Sequence, residues 1–259
     1  MTMSKSTQPT ARKRIVVKLG GSMLEGLNDT FFANFKRLQE QGNDLLIVHG
    51  GGPAINKQLA KNNVVSTALN GIRVTSQEAV HIVQSTLIGQ VNPNLVHQLN
   101  KAGIKALGLN GYDGNLLTCT FLNKEVYGFV GDITDVNSIL LDTLLANGIV
   151  PVIACIGCTE DGEALNINGD TVASEVALAM KADSLLLVTD TAGIKIEGEV
   201  QSLISPSAIA NWMESGDIYG GMIPKVEAAL ACLTAGIPSV QIVGDQLEGT
   251  TILHQEVFA

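Results

Sequence analysis

The feature that most constrains the fold of this chain is an alternation of short apolar runs with segments of helical periodicity. The runs at 14–19 and 45–49 are rich in Val, Ile and Leu, and between them Phe31, Phe35 and Leu38 recur at the spacing of one helix face. Strands that are buried on both faces have such continuous apolar runs, and parallel strands need crossover helices. The pattern therefore predicts an α/β fold with a largely parallel sheet that helices cover on both faces.

Turn and cap signals add further elements to this prediction. Asn70-Gly71 lies between two extended runs and predicts a β-hairpin, because a type I′ turn needs positive φ at both central residues. Thr75 is followed three residues later by Glu78, which predicts a capping box at the start of a long helix. We also expect strands at 104–109, 116–121, 125–130, 149–155, 184–189 and 239–243, and helices at 137–147, at 170–182 and from Pro53, Pro206 and Pro224.

Composition and charge exclude several classes of protein. The chain has 259 residues, 46% of them hydrophobic, and carries a net charge of −9, which argues against general nucleic-acid binding. No apolar run reaches the roughly 18–20 residues that span a bilayer, so we expect no membrane partner. Residues 1–13 are polar and basic without a following apolar segment, and we expect a disordered leader, no secretion signal and a cytoplasmic protein.

The four cysteines indicate reduced thiols rather than a metal or redox centre. Cys155 and Cys158 form a CxxC pattern, but no second ligand pair is present and the preceding residues predict a strand. A thioredoxin-like motif would instead open a helix. We therefore interpret both residues as small buried hydrophobes and expect no metal bound by the protein.

Glycine clusters follow two of the predicted strands. Gly20 and Gly21 end the first strand, and Gly50, Gly51 and Gly52 end the second. Neither cluster matches a Walker phosphate loop or a dinucleotide-binding fingerprint. Glycines let backbone N–H groups approach a polyanion, and a helix N-terminus adds partial positive charge, although tight turns alone also use glycine. Because parallel strands place ligand sites at their carboxyl ends, two such loops together favour a phosphate site.

Two lysines occupy unusual positions near such glycines. Lys18 lies inside an apolar strand, where an unpaired charge is costly, although its side chain could reach water at the strand end. Lys225 follows Pro224 at a predicted helix start, where the helix dipole disfavours a cation. A bound anion would remove both penalties, so the pair indicates an anionic ligand.

A third polar stretch precedes the predicted helix at 170–182. Asn166, Asn168 and Asp170 alternate, which would direct their side chains to one side of an extended segment. Asp170 could instead be only the N-cap of the helix. Three convergent polar side chains suit a binding site better than a core.

These motifs, in this order, resemble the amino acid kinase family. The segments VKLGGS, IVHGGG, NGIRVTSQE, LNINGDTVA and GGMIPKVEAAL carry the resemblance over residues 14–245, and two of them resemble its acetylglutamate kinase branch. The resemblance implies a three-layer αβα sandwich with a mainly parallel central sheet. It also implies an acyl-amino-acid lobe at 14–182, which also dimerises, and an ATP-binding lobe at 183–259. This chain has CIGC where the family has small or apolar residues, so the resemblance does not predict the pocket wall near Asn166.

The resemblance assigns roles to residues of this chain. Lys18 and Lys225 match the lysines that neutralise the transferring phosphoryl group, and Asp170 matches the carboxylate that positions both of them. The matching substrate-binding residues are Gly50, Gly51, Arg73, Asn166 and Asn168, with Arg73 on the α-carboxylate. The matching phosphate- and nucleotide-binding residues are Gly20, Gly21, Asp190, Gly221 and Met222.

The implied reaction transfers phosphate from ATP, with Mg²⁺, to the γ-carboxylate of N-acetyl-L-glutamate in arginine biosynthesis. That carboxylate is already ionised at pH 7, so no general base is needed, and we interpret His49 as a structural hydrogen-bonding residue. Two alternatives remain open from the residues alone. One is a kinase of a related acid such as acetylaminoadipate, and the other is a non-catalytic nucleotide or amino-acid sensor on the same fold.

The resemblance also bears on assembly. Arginine-inhibited members of the family carry an extra N-terminal helix that links dimers into hexamers, whereas the residues before Lys18 show no apolar stripe at helical spacing. We therefore expect a homodimer, paired through the long helix that starts near Ser76, and weak or absent inhibition by arginine.

Overall fold

The computed structural model describes residues 12–253, so most of the predicted leader, residues 1–11, lies outside the described part of the chain. The described strands are β1 Arg14–Leu19, β2 Asp44–His49, β3 Thr67–Leu69, β4 Ile72–Val74, β5 Ala106–Leu109, β6 Leu117–Phe121, β7 Gly131–Val136, β8 Val150–Ala154, β9 Ile156–Cys158, β10 Ala164–Asn166, β11 Ser184–Val188, β12 Lys195–Ile196, β13 Glu199–Val200, β14 Leu203–Ile204, β15 Ser239–Val243 and β16 Gly249–Leu253. The described helices are α1 Asp29–Glu40, α2 Gly52–Lys61, α3 Gln77–Thr86, α4 Asn92–Lys101, α5 Lys124–Tyr127, α6 Ser138–Ala146, α7 Gly169–Ala179, α8 Pro206–Ser215 and α9 Ile223–Thr234.

Eight strands form the central sheet in the order β14-β16-β15-β11-β1-β2-β8-β5. Neighbouring strands are parallel except β15 and β16, which pair antiparallel. Both faces of the sheet are covered, since Val16 belongs to a core on the α7 and α9 side and Val17 to a core that includes Phe31 and Phe35 of α1. The predicted αβα sandwich with a mainly parallel sheet is confirmed.

Three smaller sheets accompany the central one, and one of them is the pair β12-β13. The strands β10-β9-β6-β7 form a four-stranded sheet, and β3 and β4 form the predicted hairpin. Asn70 and Gly71 have φ values of 51° and 76°, as the two central residues of a type I′ turn require. The hairpin prediction is therefore confirmed.

Two local predictions are wrong. Residues 125–130 do not form a strand, because the side chain of Asn123 accepts a hydrogen bond from Val126 N and opens the short helix α5; the next strand begins at Gly131. Ser76, not Thr75, caps α3, with its Oγ accepting from Ala79 N at 3.1 Å. Thr75 is buried instead and donates to the carbonyl of Arg73 at 2.9 Å.

The long helix predicted from Ser76 is present but irregular. Between α3 and α4 the residues Leu87–Val91 form one π-helical turn. Pro93 lies in the first turn of α4, where its ring cannot accommodate a regular hydrogen bond to the preceding turn. Of the helices in residues 12–253, none is both long enough and apolar enough to cross a bilayer.

Candidate active site

Three adjacent strands bring their carboxyl ends together at one edge of the central sheet. In the register of the sheet Leu19 lies beside His49 of β2 on one side and Val188 of β11 on the other. The loops that follow therefore bring Gly20 and Gly21, the triple glycine at 50–52 and Asp190 to the same edge. The order of the sheet reverses around β1, which is the position where open α/β sheets bind ligands.

The two glycine loops contact each other through their backbones. A Cβ atom placed on Gly21 would lie 2.6 Å from the backbone nitrogen of Gly52 and 2.8 Å from the ring of Pro53. Only glycine permits this approach without moving backbone. The predicted pair of facing loops is thus present in the structure.

The N-terminus of α2 points its backbone donors at this edge. Gly51 is the N-cap residue, and within residues 12–253 no side chain caps the helix. The first N–H groups of a helix have no partner inside it, and they carry partial positive charge. Gly51, Gly52 and Ala54 therefore offer N–H groups to an anion.

Lys18 is held at this edge by Asp170. Its ammonium nitrogen lies 2.8 Å from the Asp170 carboxylate, and its side chain is 18% exposed. Asn168 caps α7 by accepting from Asp170 N at 2.7 Å, so the interpretation in which Asp170 is the N-cap is wrong. The cap leaves the Asp170 carboxylate free to pair with Lys18, whose Cε lies beside Gly169.

Lys225 binds a different carboxylate. Its ammonium group donates to Asp190, and this ion pair lowers the pKa of the Asp190 carboxyl through the hydrogen bond and the charge of Lys225. Asp170 pairs with Lys18, and the described ion pairs do not join it to Lys225. The expected single carboxylate between both lysines is thus replaced here by one carboxylate for each lysine.

A cavity of about 480 Å³ opens beside the Lys225–Asp190 pair. Gly221 and Met222 line it from the 3₁₀ turn Gly220–Met222 that precedes α9. The wall also includes residues that the sequence did not single out: Thr191, Ala192, Gly193, Lys195, Asp217, Ile218 and Tyr219. Tyr219 is 75% exposed, which suits an aromatic wall for a ligand, but no motif marked it.

Arg73 and Asn166 are connected through Thr75. The Arg73 guanidinium donates to Ser66 Oγ at 2.5 Å and to Asn56 Oδ1 at 2.6 Å, and burial lowers its pKa. Asn166 donates to Thr75 Oγ1 at 3.2 Å, and Thr75 in turn donates to the Arg73 carbonyl. The structure thereby joins two predicted substrate contacts that come from different sheets through Thr75.

His49 and Cys155 are buried beneath the glycine loops. His49 Nδ1 lies 2.8 Å from the Gly50 carbonyl, and burial lowers the pKa of His49 to about 4. The predicted structural hydrogen bond is confirmed, and Asn92 Nδ2, 2.9 Å from Nε2, is a partner that no motif indicated. Burial raises the pKa of the Cys155 thiol to about 12, and the four cysteines are free and buried as expected.

Within residues 12–253, no group of three or more His, Cys, Asp and Glu side chains is placed to hold a metal ion. Asp190 and Asp217 both line the cavity beside Lys225. Their carboxylates are the oxygen ligands that Mg²⁺ prefers, and Mg²⁺ commonly binds through one or two carboxylates together with substrate phosphates.

Comparisons with known proteins identify the family of this chain. The model of the amino acid kinase family matches residues 13–244. An acetylglutamate kinase of Halalkalibacterium halodurans is 42% identical over 254 residues, which cover 95% of this chain and 98% of that relative. An acetylglutamate kinase of Bacillus pumilus is 39% identical over 252 residues, covering 94% and 98%.

Solved structures show the same fold. The crystal structure of smu.665 from Streptococcus mutans UA159 superposes with a TM-score of 0.82 at 36% identity, covering 93% of this chain and 98% of that chain. The carbamate kinase of Giardia has a TM-score of 0.65 at 16% identity, covering 94% and 99%. The second likeness concerns the fold alone.

Proposed function

We propose a mechanism for this chain from one premise: it belongs to the amino acid kinase family and, within it, to the acetylglutamate kinases. It uses ATP to phosphorylate the γ-carboxylate of N-acetyl-L-glutamate, and the product is N-acetyl-L-glutamyl 5-phosphate, an intermediate of arginine biosynthesis.

The chemical difficulty of this reaction is electrostatic. The attacking carboxylate is ionised at neutral pH, with a reference pKa near 4.3, so it needs no general base. It must approach a phosphate chain of the same charge. Catalysis therefore consists of positioning and of stabilising the charge on the transferring phosphoryl group.

The observation that carries the mechanism is the position of Lys18, held by Asp170 at the sheet edge where the two glycine loops meet. From there its ammonium group neutralises the phosphoryl group, while the N–H groups of Gly21, Gly50 and Gly51 donate to the transferring group and to the substrate. Gly50 N–H makes only a long contact of 3.4 Å to the Leu19 carbonyl, so it remains available to a stronger acceptor without a change in its orientation.

ATP occupies the cavity beside Lys225 in this proposal. Gly20, Gly21, Asp190, Gly221 and Met222 contact its phosphates or nucleoside, and Lys225 leaves Asp190 to bind the phosphoryl group. Asp190 and Asp217 are the carboxylates in that cavity that would hold Mg²⁺, which would neutralise charge on the ATP phosphates.

Acetylglutamate binds on the side of the transferring phosphoryl group that is opposite to ATP. Arg73 binds the α-carboxylate of acetylglutamate, and Asn166 donates a hydrogen bond to the substrate. Asn168 caps α7 and so positions the N-terminus of that helix at the substrate. We place the boundary between this lobe, 14–182, and the nucleotide lobe, 183–259, in the short connection between α7 and β11. Both lobes share the central sheet, because β11 pairs with β1.

We also propose a cytoplasmic homodimer that pairs through the helix formed by α3, the π turn and α4. Its inner stripe packs in the core, whereas His81, Ser85 and Gly89 form an exposed outer row. Gly89 lets a second helix approach closely at the π turn. Light scattering at micromolar concentration should give twice the 27.2 kDa chain mass; a monomer or a hexamer would contradict this assembly.

The test of the function is a coupled assay of ADP formation with separate acid acceptors. We expect turnover with N-acetyl-L-glutamate and Mg-ATP, at least tenfold weaker turnover with acetylaminoadipate, and none without an acid. Faster turnover of acetylaminoadipate would identify the related kinase instead. Binding of both ligands without turnover would identify a sensor.

A further inference from the structure

The carbonyl of Gly50, in the triple-glycine loop, is bound by the side chain of the preceding residue. His49 is fully buried, and its Nδ1 lies 2.8 Å from Gly50 O. On the other side of the ring, Asn92 Nδ2 lies 2.9 Å from Nε2 and also 2.9 Å from the carbonyl of Val152. Asn92 itself is buried at the start of α4.

These contacts define which nitrogen of His49 carries the proton. A carbonyl oxygen can only accept, so Nδ1 must donate to Gly50 O. The amide nitrogen of Asn92 can only donate, so Nε2 must accept from it. Both contacts are satisfied by one neutral tautomer, with the proton on Nδ1, and the lowered pKa of His49 agrees with a neutral ring.

The hydrogen bond to Gly50 O also sets the direction of the N–H group of Gly51. In a trans peptide the C=O of Gly50 and the N–H of Gly51 point in opposite directions. The sheet register places Lys18 beside Val48, and successive side chains of a strand alternate, so the ring of His49 lies on the face opposite Lys18. Holding Gly50 O toward the ring therefore turns Gly51 N–H toward the Lys18 side, where the phosphoryl group is transferred.

We propose that His49 is a positioning residue of the reaction, which orients the Gly50–Gly51 peptide so that Gly51 N–H faces the reacting groups, and that Asn92 fixes the tautomer that His49 needs. This inference rests on the proposed function, because the donor matters only if an anion reacts at that edge.

The residues packed around His49 and Asn92 leave these side chains and the triple-glycine loop little room to move. A Cβ atom on Gly108 would lie 1.9 Å from Asn92 Oδ1, so β5 approaches the Asn92 amide as closely as only glycine allows. Gly51 is similarly close to the π turn, with Leu87 Cδ2 2.7 Å from its Cβ position. Cys155 donates from its thiol to the His49 carbonyl at 3.1 Å. The loop is thus held in one orientation before any ligand binds, which is the preorganisation that charge stabilisation requires.

Two substitutions at residue 49 separate positioning from packing. In His49→Asn the amide nitrogen lies two bonds beyond Cβ, near the place of Nδ1, and can still donate to Gly50 O. In His49→Gln the amide lies one bond further out, near Nε2, where it faces Asn92 but not Gly50 O. Both variants lose the ring and its packing, so they are matched in that respect.

We expect His49→Gln to lower kcat about 10- to 100-fold, since loss of one aligned oxyanion donor costs about 10²–10³-fold when the donor is removed outright. The KM for ATP should change less than threefold. His49→Asn should keep kcat within about fivefold of the unmodified enzyme. Both variants should melt at similar, lower temperatures. Equal kcat losses in the two variants, or no loss in His49→Gln, would overturn the proposal.

A spectroscopic measurement covers the case in which neither variant folds. Long-range ¹H–¹⁵N correlation spectra of the unmodified protein at pH 7.5, with ¹⁵N-labelled histidine, report which ring nitrogen carries the proton. We expect His49 to be wholly the Nδ1–H tautomer; the Nε2–H tautomer or a mixture would overturn the proposal. Because this readout needs no turnover, it also separates failure of the positioning role from failure of the kinase assignment.

Discussion

At the scale of single residues, the site contains two lysines with one carboxylate partner each. Lys18 and Asp170 are both partly screened from water, whereas Asp190, the partner of Lys225, is 73% exposed. An exposed ion pair contributes little stability, so the Lys225–Asp190 contact can be exchanged for a phosphate at low cost. We therefore assign Lys18 a fixed role and Lys225 a role that begins when ATP binds.

In the proposed mechanism Lys225 neutralises charge mainly in the transition state, so Lys225→Ala should lower kcat about 10²–10³-fold and change the KM for acetylglutamate less than threefold. Steady-state kinetics with each substrate varied in turn measures both constants. Lys195→Ala, which removes another lysine from the same cavity, is the control and should retain most of its kcat. A loss of acetylglutamate binding with unchanged kcat would place Lys225 outside the reacting centre.

Asp170→Asn should fold normally, because Asn168 provides the cap of α7, and should lower kcat about 10- to 100-fold by removing the charge that holds Lys18. Circular dichroism and single-turnover rates measure the two effects separately. Glu175→Gln neutralises another carboxylate of the same helix and should have a smaller effect on the rate. If the Asp170 variant were as active as the parent enzyme, its carboxylate would have no part in positioning Lys18.

Arg73→Lys should raise the KM for acetylglutamate about tenfold and leave the KM for ATP within twofold. A guanidinium can bind Asn56 and Ser66 and still present a planar N–H pair to a carboxylate, whereas one ammonium group cannot. Arg37→Lys, at an exposed ion pair with Glu248, is the matched control. A change confined to the KM for ATP would show that Arg73 does not contact the acid substrate.

At the scale of elements, the site depends on two loops whose backbones touch. Gly21 and Gly52 come from different βα connections, and no side chain separates them. The triple-glycine loop is in turn packed on the π turn Leu87–Val91. The irregular turn of the long helix thus lies directly behind the donors of the site, which agrees with the frequent occurrence of π turns at functional sites.

Gly21→Ala tests the contact between the loops. The added Cβ would lie 2.6 Å from the Gly52 nitrogen, so the two loops must separate. We expect kcat to fall at least 10-fold and the melting temperature to fall by a few degrees. Activity and calorimetric measurements on the same sample compare the two effects. Gly26→Ala, in the same connection but 3.8 Å or more from other atoms, should leave both nearly unchanged. A fully active Gly21→Ala enzyme would mean that the close approach is not needed.

At the scale of the whole molecule, one sheet connects the two proposed lobes. The apolar core on the α7 side runs without interruption from Val16 of β1 to Leu185 of β11 and Ile242 of β15. Arg14 adds to this connection, because its backbone N–H donates to the carboxylate of Asp183 at 2.7 Å. The two proposed lobes therefore share one central sheet and one apolar core on this face.

His49 also makes global stability depend on pH. Burial lowers its pKa from 6.5 to about 4, so its neutral form contributes stability above pH 6.5, and that stability is lost as the pH falls toward 4 because the unfolded chain binds the proton first. From pH 7.5 to 4.5 the loss of unfolding free energy assigned to His49 is roughly 2–3 kcal/mol.

Urea unfolding at both pH values, in the parent protein and in His49→Asn, measures this contribution as the difference between the two pH dependences. The carboxylates titrate in both proteins and cancel in that difference. The same pH dependence in both proteins would show that His49 is not held neutral in the fold.

The sequence by itself determined the fold class and the edge of the sheet at which we place the candidate site. Continuous apolar runs separated by helical periodicities require a parallel sheet, and parallel strands present their following loops at one edge. The glycine clusters, Lys18 and Asp190 could be placed there because each follows or ends a recognisable strand. The hairpin at Asn70-Gly71 was predictable for a local reason as well, since two positive φ angles restrict the residue types.

Only the tertiary structure decided how side chains are paired. Which lysine meets Asp170 or Asp190 depends on the relative placement of helices and loops far apart in sequence, and side-chain periodicity contains no information on it. In the structure Asn168 caps α7, and Asp170 does not. The sequence could not distinguish the two positions, because both residue types cap helices well. The contact of His49 with Asn92, 43 residues away, joins the end of β2 to the start of α4, and a periodic pattern specifies only which face of each element is buried.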